Sequence, residues 1–257
     1  MKPAPQGPTL PKDFPIHWYT LSHGSHFWVE WRFRVLSRLV KTHGPSLTTT
    51  LQALDVGCGA GVFRSQWEKF CAWTVDGVEQ NEWAIHNGAS AKGLLYNFDI
   101  TRPPAEVLGR YDCIFLLDVL EHIEKTRAFL EGIFSCLKPE GFLVINVPAF
   151  QSLFSKYDSE AGHHRRYNEK SLRHELLSFP VTIHRVAYWG FTLIPFLLAR
   201  KILSPSWKTS PDIIRKGFQP PGPVSNLFFK FLMRLENKMG GLMPRGSSLT
   251  LIAQRKR

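Results

Sequence analysis

Five short apolar runs, LQALDV (51–56), WTVDGVE (73–79), GLLYNFD (93–99), YDCIFLLD (111–118) and GFLVINVP (141–148), recur along the chain with stretches of helical length between them. Runs this rich in branched residues, and apolar without strict alternation, are strands covered on both faces. A rhythm of strand then helix requires crossovers, which makes the sheet mainly parallel with helices on either side. The 257 residues, 44% of them hydrophobic, are enough to bury one large core. Beyond Pro148 the rhythm loosens into a loop, a helix from Asn168 to Ser178 and a strand VTIHRVAYW (181–189), with SLTLIAQR (248–255) as the closing strand. Five prolines in residues 1–15 predict an irregular arm, and residues 26–41 an amphipathic helix that stops before Gly44-Pro45. The expected organisation is an arm and cap helix (1–45) followed by an α/β domain (46–257) that carries a helical insertion (190–246).

LDVGCGAG (residues 54–61) is the most informative stretch. A strand runs into Asp55, then Gly57, Gly59 and Gly61 permit a tight turn and close backbone approach before a helix starts near Val62. Val62 stands where the dinucleotide fingerprint needs its last glycine, and no Gly-Lys-Ser/Thr is present after the turn, so neither phosphate-binding reading holds. Glu79 closes the second run, where a carboxylate can accept from both hydroxyls of a ribose, and Asp99 closes the third, within reach of an adenine amine.

In this combination the chain resembles the class I S-adenosylmethionine-dependent methyltransferases, most closely over about residues 50–150. LDVGCGAG matches the turn at the methionine end of the cofactor, VEQN (78–81) the ribose segment, FDI (98–100) the adenine segment, and DCIFLLDVLEHI (112–123) the fourth strand with the segment after it. The resemblance implies a Rossmann-like seven-stranded sheet, mainly parallel, with the last strand antiparallel. It implies S-adenosyl-L-methionine as cofactor, held by Arg32, Asp55, Gly57, Cys58, Gly59, Gly61, Glu79, Gln80, Asp99, Ile100, Leu117 and Asp118. HFWVEWRFR (26–34), NVPAF followed by GHHRRY, and PRGSSLTLIAQRK further resemble bacterial methyltransferases of a broad group associated with cell-surface glycan or lipid pathways. In that group Arg32 occupies an arginine position that reaches the cofactor carboxylate, while Glu30 and Trp31 depart from its basic and small residues.

Methyl transfer from a sulfonium is an in-line displacement, so the protein aligns donor and acceptor, excludes water and removes one proton from a hydroxyl or ammonium acceptor. AGHHRRYNEK (161–170) comes after the fifth strand, at the sheet edge where open α/β folds bind ligands. His163 is the expected base or acceptor orienter, and His122 lies at the same edge. Arg166 is either an anion clamp or an anchor for the loop, paired with Asp158, Glu160 or Glu169. Asp118, Glu121 and His122, with His163 or His164, resemble an ExxEH metal cluster of some ubiquinone-pathway and small-RNA methyltransferases. Aspartate in place of the first glutamate shortens the reach, and no metal is expected.

The net charge of +11 comes entirely from the C-terminal part: residues 1–184 hold 19 Lys/Arg and 19 Asp/Glu, residues 185–257 hold 13 and two. Such an excess faces a polyanion or water. The aromatics of the insertion sit in aliphatic runs better suited to packing or lipid than to bases, so an anionic membrane surface is the expected polyanion and nucleic acid an unlikely one. Residues 186–199 are too few to span a bilayer, and Pro195 interrupts them. Four scattered cysteines without a CxxC pair predict reduced thiols in a cytoplasmic chain, peripheral at a membrane if the basic surface meets lipid. The acceptor expected is a small molecule, or one linked to lipid or glycan. A cofactor-fold binding module and an RNA methyltransferase are the alternatives.

Overall fold

A computed structural model describes residues 26–203, 222–238 and 243–257. The proline-rich arm (1–15), together with Lys208, Arg215 and Lys216 of the insertion, lies outside the described residues. Strands β1 (Gln52–Val56), β2 (Thr74–Val78), β3 (Leu95–Tyr96), β4 (Tyr111–Leu117), β5 (Leu137–Pro148), β6 (Val181–Trp189) and β7 (Ser248–Arg255) form one sheet in the order β3-β2-β1-β4-β5-β7-β6. Strands β1 to β5 pair in parallel, whereas β7 is antiparallel to both β5 and β6. This is the seven-stranded arrangement expected from the sequence, with its last strand reversed.

The central strands are buried on both sides. In β4, Cys113, Phe115 and Leu117 join the core on one face of the sheet, and Ile114 and Leu116 that on the other. The first face is covered by α1 (Phe27–His43) and α2 (Val62–Phe70), with Trp31, Trp67, Trp73 and Trp189 fully buried among them. The second is covered by α4 (Thr126–Cys136), which comes after the short α3 (Glu82–His86). His26 caps α1, its ring nitrogen accepting from Trp28 N–H, and the chain turns out at Gly44.

Two elements differ from the sequence expectation. The third strand keeps two residues instead of seven, and at its start side chains of its neighbours engage the backbone. Gly93 N–H donates to Glu68 and Leu94 N–H to Asp76, while Arg64 donates to the carbonyls of Gly93 and Leu94. The segment read as a loop after β5 contains α5 (Lys156–Glu160), whose start is fixed by a reciprocal Ser155–Asp158 capping box. The helix expected over 168–178 is α6 (Glu169–Glu175), capped by Asn168.

The described part of the insertion is α7 (Ile194–Leu203) and α8 (Pro223–Lys238). α8 lies on α1: the Phe229 and Phe27 rings stack at 4.7 Å, Lys230 pairs with Glu30 at 2.9 Å, and Phe27 N–H donates to Asn226 Oδ1 at 3.1 Å. The fully buried Glu236 fastens α8 to the exit of β6. It accepts from Gly190 N–H at 2.7 Å and from both Thr192 N–H and Thr192 Oγ1 at 3.1 Å. Glu236→Ala leaves those donors unsatisfied and should lower the unfolding free energy by about 2–4 kcal/mol, read as a fall in urea midpoint. A midpoint unchanged from the parent would show that Glu236 does not fasten the insertion. No helix among the described residues is long and apolar enough to cross a membrane.

Candidate active site

The carboxyl ends of β1, β2 and β4 build the site. At the end of β1 the chain turns through Gly57, Gly59 and Gly61, all at positive φ (69°, 53° and 70°), so that α2 can start at Val62. Gly57 has a second constraint, since a Cβ there would lie 2.7 Å from Val119 Cγ2. Gly57 and Cys58 N–H both donate to Val78 O, and Glu79 Oε2 accepts from Gly59 N–H at 2.8 Å. Glu79 Oε1 accepts from Gln80 and Asn81 N–H, so one buried carboxylate fixes both turns. Burial pushes Asp55 up to about 7, with Arg32 and Arg64 opposing that rise, and burial also raises the Cys58 thiol.

Two acceptors beside this turn are left over. Gln80 Oε1 and Asp99 Oδ2 are buried without a hydrogen-bond partner among the described residues, while Asp99 Oδ1 is engaged by Thr101. Buried polar atoms are nearly always paired, and hydroxyl and amine donors of a nucleoside are the groups these two lack. The glycine turn, which side chains would fill, and these orphaned acceptors fit S-adenosylmethionine. Ile100 and Leu117, also expected near the cofactor, are buried in the cores on opposite faces of the sheet.

Asp118, directly after β4, stands at φ 59°, a conformation rare outside glycine. Arg32 Nη1 donates to its Oδ2 at 2.6 Å and Asn146 Nδ2 to its Oδ1 at 2.9 Å. Asn146 Oδ1 in turn accepts from Trp189 Nε1 at 3.0 Å and from Thr250 Oγ1 at 2.8 Å. Arg32 is therefore delivered to the rim by α1 and engaged by Asp118, where the resemblance implied a cofactor carboxylate as its partner. Asn146, Trp189 and Thr250 were missed as site residues; the only sequence signal is one asparagine inside the apolar run FLVINVP.

The histidine loop stands on the same rim. Ala149 pairs with Tyr167, His164 N–H donates to Glu121 O at 2.8 Å, and Glu121 lies two residues from the valine that touches Gly57. The His122 and His163 rings meet edge to face, centroids 4.7 Å apart. Asp158 Oδ1 holds His163 Nδ1 at 3.0 Å and Arg166 Nε at 2.7 Å. Burial works against its charge, yet His163 and Arg166 keep the Asp158 carboxyl well below the usual range. Arg166 also donates to Ala149 O, and its side chain is only 7% exposed. Of its two expected roles, the anchor is the one this geometry serves.

Burial, with His163 beside it, pushes His122 down to about 3, so its ring is neutral near pH 7. Burial and the Asp118 charge push the Glu121 carboxyl well above its ordinary range. Glu121, His122 and His163 each bring one ligand atom within 4.8 Å of the others, a donor set that can hold a divalent cation. Asp118, the first member of the DxxEH spacing, is turned to Arg32 instead.

Sheet order, glycine turn and strand-end acids together define the class I methyltransferase architecture. Residues 28–179 match the family model described as "Methyltransferase domain", and the chain belongs to that family, whose methyl donor is S-adenosylmethionine. Among curated relatives, the ubiquinone biosynthesis O-methyltransferase of Rickettsia bellii is 25% identical over 118 residues, 45% of this chain and 49% of that protein. Its namesake from Parvibaculum lavamentivorans is 30% identical over 99 residues, 37% and 39% of the two. The chain thus spans about half or less of the curated relatives it matches. Among solved structures, phosphoethanolamine N-methyltransferase 2 of Haemonchus contortus with S-adenosyl-L-methionine superposes with a TM-score of 0.57 at 16% identity, covering 94% of this chain and 57% of that one. An S-adenosylmethionine-dependent methyltransferase of Mesorhizobium loti gives 0.55 at 15% identity, with 91% and 100% covered.

Proposed function

We propose that this chain transfers the methyl group of S-adenosylmethionine to an oxygen of a small acceptor, one linked to lipid or glycan at the face of an anionic membrane. The observation that carries the transfer is His163, backed by the Asp158 carboxylate, on the rim that holds the glycine turn. The oxygen is supported by the O-methyltransferases among its relatives, and the membrane by the basic charge surplus of residues 185–257.

When bound, the cofactor supplies an electrophilic methyl group. Glu79, Gln80 and Asp99 hold its ribose and adenine, and the backbone of Gly57 to Gly61 its amino-acid end. Asp158 accepts from His163 Nδ1–H, which leaves the Nε2 lone pair to take the acceptor's hydroxyl proton as the new O–C bond forms. His122 stays neutral against the edge of that ring, and Arg166 keeps the loop in place.

This assignment needs no cation. The convergence of Glu121, His122 and His163 favours a second reading in which a divalent ion lowers the pKa of the acceptor hydroxyl instead. One assay decides: transfer of labelled methyl to catechol, quinol and polyprenyl-phosphosugar acceptors, before and after exhaustive chelation. We expect a labelled product whose rate is unchanged within twofold by chelation. A rate lost on chelation and restored by Mn²⁺ or Zn²⁺ would give the cluster to a metal, and cofactor binding without product would leave a binding module.

A further inference from the structure

A cavity of about 380 Å³ opens between α5 and the end of α7, next to the Asp158–His163 pair. Ser155, Lys156, Tyr157, Ser159, Arg200 and Lys201 line it, and no acidic side chain among the described residues does. Arg200 lies with its guanidinium carbon 4.0 Å from the centroid of the Tyr157 ring, which fixes its plane without neutralising it. Its Nε is buried without a hydrogen-bond partner among the described residues. Asp158, the acid in electrostatic contact with Arg200, is already engaged by His163 and Arg166. Lys201 Nζ donates to a neutral group, the Ser152 carbonyl, at 2.7 Å.

A half-buried guanidinium is tolerated where its charge and donors are met. Here one carboxylate serves two other cationic or cationisable partners, so the Arg200 fork and the Lys201 ammonium face a cavity that no acidic side chain lines among the described residues. The ligand that satisfies such a set is a multiply charged oxyanion.

We propose that this cavity is a phosphoryl subsite: it binds the phosphate or diphosphate of the acceptor, while the hydroxyl to be methylated reaches His163 on the other side of Asp158. The inference rests on the proposed function, that the chain is a methyltransferase with a carried acceptor. The shared chemistry is the phosphoryl group, whether it belongs to a soluble phosphate ester or to a lipid headgroup.

The test uses the full chain in three titrations: calorimetry with inorganic phosphate, co-sedimentation with phosphatidylcholine vesicles containing or lacking phosphatidic acid, and calorimetry with S-adenosylmethionine. Saturable phosphate binding is expected, weakened at least tenfold in Arg200→Gln and several-fold in the exposed Lys201→Gln. Arg127→Gln, which removes an equal charge from the exposed face of α4, should match the parent. Saturation in the phosphate arm alone assigns a soluble ester. Saturation in the phosphatidic acid arm assigns a headgroup. Either supports the subsite if the two variants lose it. No saturation in either arm, an unaffected Lys201→Gln, or equal loss in Arg127→Gln overturns it. Cofactor affinity should stay within twofold throughout; its absence in the parent would sink the methyltransferase reading and leave the phosphate result to be judged separately.

Discussion

Gly57→Val should weaken S-adenosylmethionine binding at least a hundredfold, about 2.7 kcal/mol, in direct calorimetric titration. Two independent effects act at this position. Its φ of 69° is a region where a Cβ costs roughly 1–2 kcal/mol. The new Cβ would also lie 2.7 Å from Val119 Cγ2, and the two further methyls have less space still. Relief requires either the turn or the segment 119–122 to retreat. A retreat of the turn breaks the N–H donations of Gly57 and Cys58 to Val78 O, whereas a retreat of 119–122 displaces the backbone that supports the histidine loop. The urea midpoint should fall as well, because both routes open the sheet edge. A variant that binds the cofactor within threefold of the parent would remove the glycine turn from the cofactor site.

His163→Ala is expected to lower kcat by about 10²–10³, in the range for loss of a positioned base, and to leave cofactor affinity within threefold. Removing the ring takes one of two donors from Asp158 Oδ1, but Arg166 Nε keeps that oxygen and Ser155 keeps Oδ2, so the loop should hold its place. Asp158→Asn provides the contrast. It weakens both the His163 and Arg166 contacts and should lose turnover together with thermal stability. If His163→Ala instead weakens cofactor binding and spares kcat, the residue belongs to the nucleotide side of the site.

The elements legible in the sequence were those whose burial forces a pattern. β1, β4 and β5 are covered on both faces and so read as unbroken apolar runs. α5 has only five residues, too short for any helical period, and is fixed by a Ser155–Asp158 exchange that resembles an ordinary polar stretch. The third run looked like a full strand because its residues are apolar, yet its hydrogen bonding was settled by Glu68, Asp76 and Arg64 from elsewhere in the chain. Glu79 and Asp99 were singled out because each closes an apolar run, although β3 itself stops at Tyr96 and leaves Asp99 in the turn after it. The Asn146–Trp189–Thr250 chain was not, because its members stand 43 and 104 residues apart and no local spacing encodes their meeting. In α8 the structure turns Phe229 and Met233 inward, on the side where Glu236 is anchored, and leaves Leu227, Phe231 and Leu235 exposed.

The position of β7 has a kinetic consequence. It lies between β5 and β6, yet it comes after both in the chain, and its pairing with β5 joins Asn146 to Thr250. A nascent polypeptide that has emerged as far as β6 therefore lacks the strand that lies between β5 and β6, and β6 has no strand to pair with. Closing that gap brings together segments about a hundred residues apart, the kind of long-range event that makes folding slow. The asparagine that supports Asp118 gains its Thr250 partner only when that strand arrives, so the rim that carries Asp118 is among the last parts of the molecule to mature.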